Sequence, residues 1–244
     1  MTKNIEKEIE INADAETVWR ALSQGDEIKR WFTLDARVTP GPGGSIWMSF
    51  GENMAWEEPI AVWEEGKHLR TGEGPQAVDY TIESRGGTTV VRLVHSGFAD
   101  DTWEGELDTL GSGWASFLAL LKHYLERHPG QPREVAYYRH EPVKMPRSEA
   151  FAKTLAALGL GGQKLEPGAP YTANDFNGVV KLAAPPIHLC MTVENHDDGW
   201  MMIEMEPGKE QTRPAIWLSL YGNARSDARR MQALIREVLD NAFG

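Results

Sequence analysis

The chain of 244 residues reads as an α+β protein: an antiparallel sheet covered by one long helix, with the same order of elements begun a second time. Three observations carry this reading. Short runs of alternating apolar and polar residues follow one another between tight turns, as in an antiparallel meander. The period then changes from two to helical over residues 110–127. Beyond Pro132 the succession of strand, helix, strands and long helix starts again.

Residues 3–11 place Ile5, Ile9 and Ile11 among charged neighbours near period two, which predicts a strand with one wet face. Asp14 is a good helix cap, and Val18, Trp19 and Leu22 then share a helical face. Gly25 is expected to close this helix, with Ile28–Phe32 as a further turn or loop. Pro40-Gly41-Pro42-Gly43-Gly44 is a turn by composition. The alternating runs SIWMSFG, AWEEPIAVWEEG, KHLRTGEG, AVDYTIESR and TTVVRLVHSGF follow, the last two joined by a hairpin signal at Gly86-Gly87. Leu110, Trp114, Phe117, Leu118, Leu121 and Leu125 then recur at helical spacing until Pro129-Gly130. An apolar helix stripe and a one-sided sheet bury each other, so this helix is expected to cover the sheet.

In the second half, REVAYYRHEPV is strand-like and Ser148 is the expected cap of a helix bearing Phe151, Leu155 and Leu158. GVVKLA, IHLCMTVEN, WMMIEMEP and AIWLSLYG read as strands, with a turn at Asp198-Gly199, and a long helix follows from about Ser226. Each half contains a strand, a proline and then a strand with a His-Leu pair, His68-Leu69 and His188-Leu189. The expected domains are 1–129 and 130–244, the second being either a smaller, degenerate repeat of the first or an unrelated α+β extension.

Composition narrows the function. Twenty-five basic against 36 acidic residues leave a net charge of −11, a poor match to nucleic acid or anionic lipid. The single cysteine, Cys190, excludes an internal disulfide and suits a reducing, cytoplasmic compartment. No apolar run is long enough for stable membrane insertion, and the charged N-terminus is unlike a signal peptide. The acidity is uneven: 12 basic and 22 acidic residues in 1–129, 13 and 14 in 130–244. Arg225, Arg229, Arg230 and Arg236 gather near the last helix, where they are either a docking face for the first half or a solvated surface.

No nucleophile elbow, P-loop, dinucleotide fingerprint or HExxH spacing occurs, so no catalytic residue, cofactor or metal is assigned. His123 and His128 are five apart and do not stack as an i, i+4 pair would. Glu57-Glu58, Glu64-Glu65 and Asp100-Asp101 are adjacent, so on a strand they face opposite ways. By alternation His95 shares the apolar face of its strand with Val91 and Leu93, and Tyr80 shares one with Val78 and Ile82. Either is a polar anchor for a ligand or an ordinary core residue. Seven of the nine tryptophans lie in the first half, more than a small core needs, and a pocket lined by flat side chains would use them.

The segment from Ile9 to Phe32 resembles the opening of the START-like (SRPBCC, Bet v 1-like) superfamily, in its branch of heat-shock-protein ATPase activator homologues. Carrying the resemblance are Ala15-Glu16-Thr17-Val18-Trp19, Trp31-Phe32 and the turn at Gly41–Gly44. The run Thr88–Phe98, Trp103 and Gly113-Trp114 complete it over about residues 3–128. It implies a helix-grip fold: a curved antiparallel sheet around a long C-terminal helix, with a cavity between them for an apolar molecule. The cavity neighbours expected are Trp31, Phe32, Met48, Phe50, Tyr80, His95, Trp114 and Phe117. Binding of a small apolar or amphipathic molecule by a monomer with packed domains stands first. A cyclase- or hydrolase-type enzyme using His95 with a carboxylate, and a module acting on a chaperone or another protein, are the alternatives.

Overall fold

The computed structural model describes residues 3–51, 54–99, 104–207 and 211–244; Trp103 and the Asp100-Asp101 pair lie outside them. The chain divides into two compact units, Met1–Gln131 and Pro132–Gly244. The first contains β1 (Lys3–Ile11), α1 (Ala15–Ser23), α2 (Gly25–Ile28), β2 (Asp35–Thr39), β3 (Ser45–Ser49) and β4 (Ala55–Glu64). β5 (His68–Thr71), β6 (Ala77–Arg85), β7 (Thr88–Phe98) and α3 (Glu104–Arg127) complete it. Its antiparallel sheet runs β1-β7-β6-β5-β4-β3-β2, so β2 to β7 form a meander and the first strand returns beside the last.

Register places one apolar row across three strands: Ile9 pairs with Val91, and Val91 with Ile82. Ile5, Leu93, His95, Val78 and Tyr80 fall on the same face by alternation. α3 covers this face, its Gly111 lying against Ile5 and Lys7. Leu118, Leu121, Tyr124 and Leu125 of the helix are buried. Each buried leucine is worth roughly 1.5–3 kcal/mol of transfer free energy. Lys122 Nζ donates to the Glu10 carbonyl at 2.6 Å, and the Asn12 amide donates to Glu126 Oε1 at 2.8 Å, which ties the helix end to β1.

Local chemistry sets the helix starts. Asp14 Oδ1 accepts from the Thr17 amide at 2.8 Å, so α1 begins where the cap predicts. Gly25 does not close that helix. Gln24 caps it, and Gly25 opens α2, where a Cβ would lie 2.7 Å from the Ala36 carbonyl oxygen. α3 starts at Glu104 rather than Leu110, because its first turns are polar and carry no apolar stripe to read. β2 and β9 (Pro170–Thr172), short edge strands with little alternation, escape the sequence pattern.

The second unit contains β8 (Glu134–Arg139), α4 (Arg147–Ala157), β9, β10 (Asn177–Ala184), β11 (His188–Val193), β12 (Gly199–Pro207), β13 (Thr212–Leu220) and α5 (Ala228–Phe243). Its order, β8-β13-β12-β11-β10-β9, follows the path of the first unit with one strand fewer. His68-Leu69 and His188-Leu189 open β5 and β11, which hold equivalent places counted from β7 and β13, and both leucines are buried. Ser148 is not the cap of α4: that helix begins at Arg147 behind Pro146, with no side-chain cap. A 3₁₀ segment, Gly222–Asp227, precedes α5. Three of the four arginines near α5 are engaged inside this unit. Arg236 stacks over the Tyr138 ring at 4.8 Å, Arg230 lies 3.3 Å from Asp227, and Arg225 lies 3.8 Å from Glu134.

The two units fill the space between sheet and helix differently. In the second, Leu189, Met191, Met201, Ile203, Ile216 and Leu218 share one buried, mostly aliphatic core with Met231, Ile235 and Leu239, joined by Phe151, Tyr171 and Phe176. In the first, the corresponding region is aromatic and only partly buried near one end of the sheet.

Candidate functional site

The aromatic region is built around Phe32. The Phe32 amide donates to the Ile28 carbonyl at 2.9 Å, extending α2 by a turn and aiming the ring toward α3. Its centroid lies 4.7 Å from Phe117, 5.1 Å from Trp31, 5.3 Å from Phe50 and 5.9 Å from Trp114. Offset and edge-to-face pairs at these separations add roughly 0.5–1.5 kcal/mol each beyond area burial. Trp31 stands behind it as fully buried floor, its indole N–H donating to the Ala21 carbonyl at 2.9 Å. Met48 lies on β3 opposite Ala36 and Trp56, on the same face as Ile46.

Three polar tips enter this apolar surround: the Tyr80 hydroxyl, the His95 imidazole and the Trp114 indole. The Trp114 ring packs edge-on to both others, with centroids 6.3 Å from Tyr80 and 5.8 Å from His95. Trp114 Nε1 donates to His95 Nδ1 at 3.0 Å. Burial holds His95 below the usual histidine range, so the ring is neutral near pH 7. Burial drives Tyr80 well above the usual phenol range, so it stays an intact hydroxyl. Neither the Tyr80 hydroxyl nor His95 Nε2 has a hydrogen-bond partner among the described residues. No carboxylate bonds His95 among them either, so the carboxylate-assisted chemistry weighed above has no such partner there.

Trp31, Phe32, Phe50, Tyr80, His95, Trp114 and Phe117 are thus joined through ring contacts, while Met48 is placed only by its register. Sequence reasoning missed Phe98 and Trp56. Simple alternation from His95 turns Phe98 to the opposite face. Gly97, at φ +94°, forms a bulge against β1 that brings Phe98 back to His95, with centroids 4.6 Å apart. A Cβ on Gly97 would lie 2.2 Å from the Pro75 carbonyl oxygen, so the backbone approach also demands glycine. Trp56 stacks on Phe50 at 5.6 Å and is exposed, as are Leu34 and Met54, making an apolar rim at the β3–β4 turn.

Two other sequence expectations meet a definite geometry. Glu57 accepts from the Ser45 hydroxyl at 2.6 Å on the exposed face, whereas Glu58 is half-buried and burial raises its pKa. His123 and His128 do come ring to ring, with centroids 5.2 Å apart. The chain leaves α3 after Arg127, so helical spacing no longer separates them.

A seven-stranded antiparallel sheet closed by one long helix, with a partly buried aromatic interior, defines a helix-grip domain. Residues 12–126, within the N-terminal unit, match the family described as Activator of Hsp90 ATPase homolog 1-like protein. Among solved structures, the Aha1 dimer from Colwellia psychrerythraea is 25% identical, covering 52% of this chain and 99% of that one (TM-score 0.46). DynU16, from the dynemicin biosynthetic locus, is 18% identical over 98% of this chain and 97% of its own (TM-score 0.45). The di-domain ARO/CYC BexL of the BE-7585A pathway is 15% identical over 98% and 97% (TM-score 0.46). No curated protein matches the chain in sequence. Among the described residues no helix is long and apolar enough to cross a membrane.

Proposed function

We propose that the N-terminal unit holds a small apolar or amphipathic molecule against the aromatic cluster, with Tyr80 and His95 orienting its polar end. The observation that carries this is the contrast in filling. The aromatic region is partly buried and leaves His95 Nε2 and the Tyr80 hydroxyl without a hydrogen-bond partner among the described residues, whereas the second unit closes its sheet with a buried, mostly aliphatic core. Apolar burial at roughly 25 cal/mol per Å² supplies affinity, and the polar tips supply orientation. Residues 130–244 are read as a shrunken repeat without such a site. The protein is read as a cytoplasmic monomer, in keeping with its one buried thiol, Cys190.

Native mass spectrometry of the purified protein, followed by organic extraction, tests the proposal. A released apolar molecule supports it. Failure of a panel of apolar probes to bind, together with a clean apo mass, refutes it. The exposed rim of Leu34, Met54 and Trp56 favours a second reading, docking on another protein. Loss of a captured partner on Trp56→Ser, with probe binding unchanged, would select that reading.

A further inference from the structure

We propose that Trp114 selects the ligand's polar group: by locking the tautomer of His95, it makes the site a hydrogen-bond donor and admits apolar molecules that carry an acceptor such as a carbonyl. This deepens the ligand-binding reading above and rests on it. An indole N–H only donates, so the 3.0 Å contact from Trp114 Nε1 requires a lone pair on His95 Nδ1. In a neutral imidazole the proton then sits on Nε2. That N–H has no partner among the described residues, and nor has the Tyr80 hydroxyl on the neighbouring strand. β6 and β7 set the two side chains diagonally on one face, Val78 opposite His95 and Tyr80 opposite Leu93, with Trp114 packed on both.

The surroundings keep the imidazole neutral. No charged side chain acts on the ring among the described residues, Phe98 covers one side at 4.6 Å, and burial disfavours the cation. The ring nitrogen left to a ligand is therefore a donor. A ligand N–H placed against it meets a second donor, and both groups go unpaired in an apolar surround. An acceptor placed there is bonded by Nε2–H, and the Tyr80 hydroxyl adds a second donor to the same group. Trp114 is a positioning residue here, acting through His95.

Three tricyclic probes of nearly one shape separate these effects: 9-fluorenone (acceptor), carbazole (donor) and fluorene (neither). Equilibrium dialysis near pH 7.5 is expected to give fluorenone about fivefold or more tighter binding than carbazole, from one net hydrogen bond gained and one donor clash avoided. In Trp114→Phe the tautomer is released, and the fluorenone-to-carbazole ratio is expected to fall toward one. A purely packing role for Trp114 weakens all three probes together and leaves the ratio unchanged, which would overturn the inference. Equal binding of the three to wild type would also overturn it while leaving the ligand reading intact; binding of none refutes that reading itself. Should Trp114→Phe not fold, long-range ¹H–¹⁵N spectra of the wild-type histidine rings decide the matter, with His95 assigned by its loss in His95→Gln. An Nε2–H signature is expected, and an Nδ1–H signature overturns the inference.

Discussion

Replacing Tyr80 by phenylalanine should move stability and binding in opposite directions. The side chain is 8% exposed, and burial alone pushes its ionisation upward, which marks a hydroxyl in an apolar surround. Among the described residues it has no hydrogen-bond partner. A fully buried hydroxyl without a partner costs about 1–3 kcal/mol, but the Tyr80 oxygen keeps some access to solvent, so less than the full penalty applies; phenylalanine keeps the ring and its packing on Trp114. With that penalty only partly present, the empty Tyr80→Phe protein should be more stable than wild type by at most about 1 kcal/mol. That upper bound corresponds to a midpoint at most about 2–4 °C higher for a chain of this size. Fluorenone affinity should fall about fivefold with the loss of one net hydrogen bond of about 1 kcal/mol. Calorimetry of the two empty proteins and equilibrium dialysis of the probe measure both quantities. A variant less stable than wild type by 1 kcal/mol or more would mean that the hydroxyl is already bonded in the empty protein, and the assignment of Tyr80 as a waiting polar anchor would be wrong.

Three more expectations follow from the same geometry. Phe32→Ala removes the ring that touches Trp31, Phe50, Trp114 and Phe117, and should cost about 3 kcal/mol in urea titrations and abolish probe binding. Gly97→Ala sets a Cβ 2.2 Å from a backbone oxygen at positive φ, so a loss above about 2 kcal/mol is expected, and a stable, probe-binding variant would show that the bulge is not needed. His95 takes up its proton at lower pH in the fold than in the unfolded chain, whose value is about 6.5. Its stabilising contribution is therefore complete above about pH 6.5 and lost as pH falls from there through the folded-state value. Unfolding free energies from pH 7.5 to 5 should fall less steeply in His95→Gln than in wild type; parallel curves would refute the burial argument.

Much of this was legible in the residues alone, because local chemistry decides it. Asp14 capping α1, the period-two faces of β6 and β7 that carry Tyr80 and His95, and the helical spacing of Trp114, Phe117 and Leu121 are short-range patterns imposed by backbone geometry. Other features depend on contacts between distant parts of the chain. The bulge at Gly97 reverses the alternation of β7 and places Phe98 beside His95, and the close approach of the Pro75 carbonyl leaves room for glycine alone there. The Trp114–His95 hydrogen bond spans helix and strand and needs the register of both. Trp56 alternates with glutamates and gives no apolar signal, yet it joins the cluster once β3 and β4 pair. Both halves carry the sequence pattern of sheet and covering helix, and the tryptophans already concentrate in the first, but only packing shows how fully the second is filled and how the aromatic rings of the first are arranged. Local periodicity specifies which face of an element is apolar; how completely two such faces fill the space between them is a property of the assembled volumes.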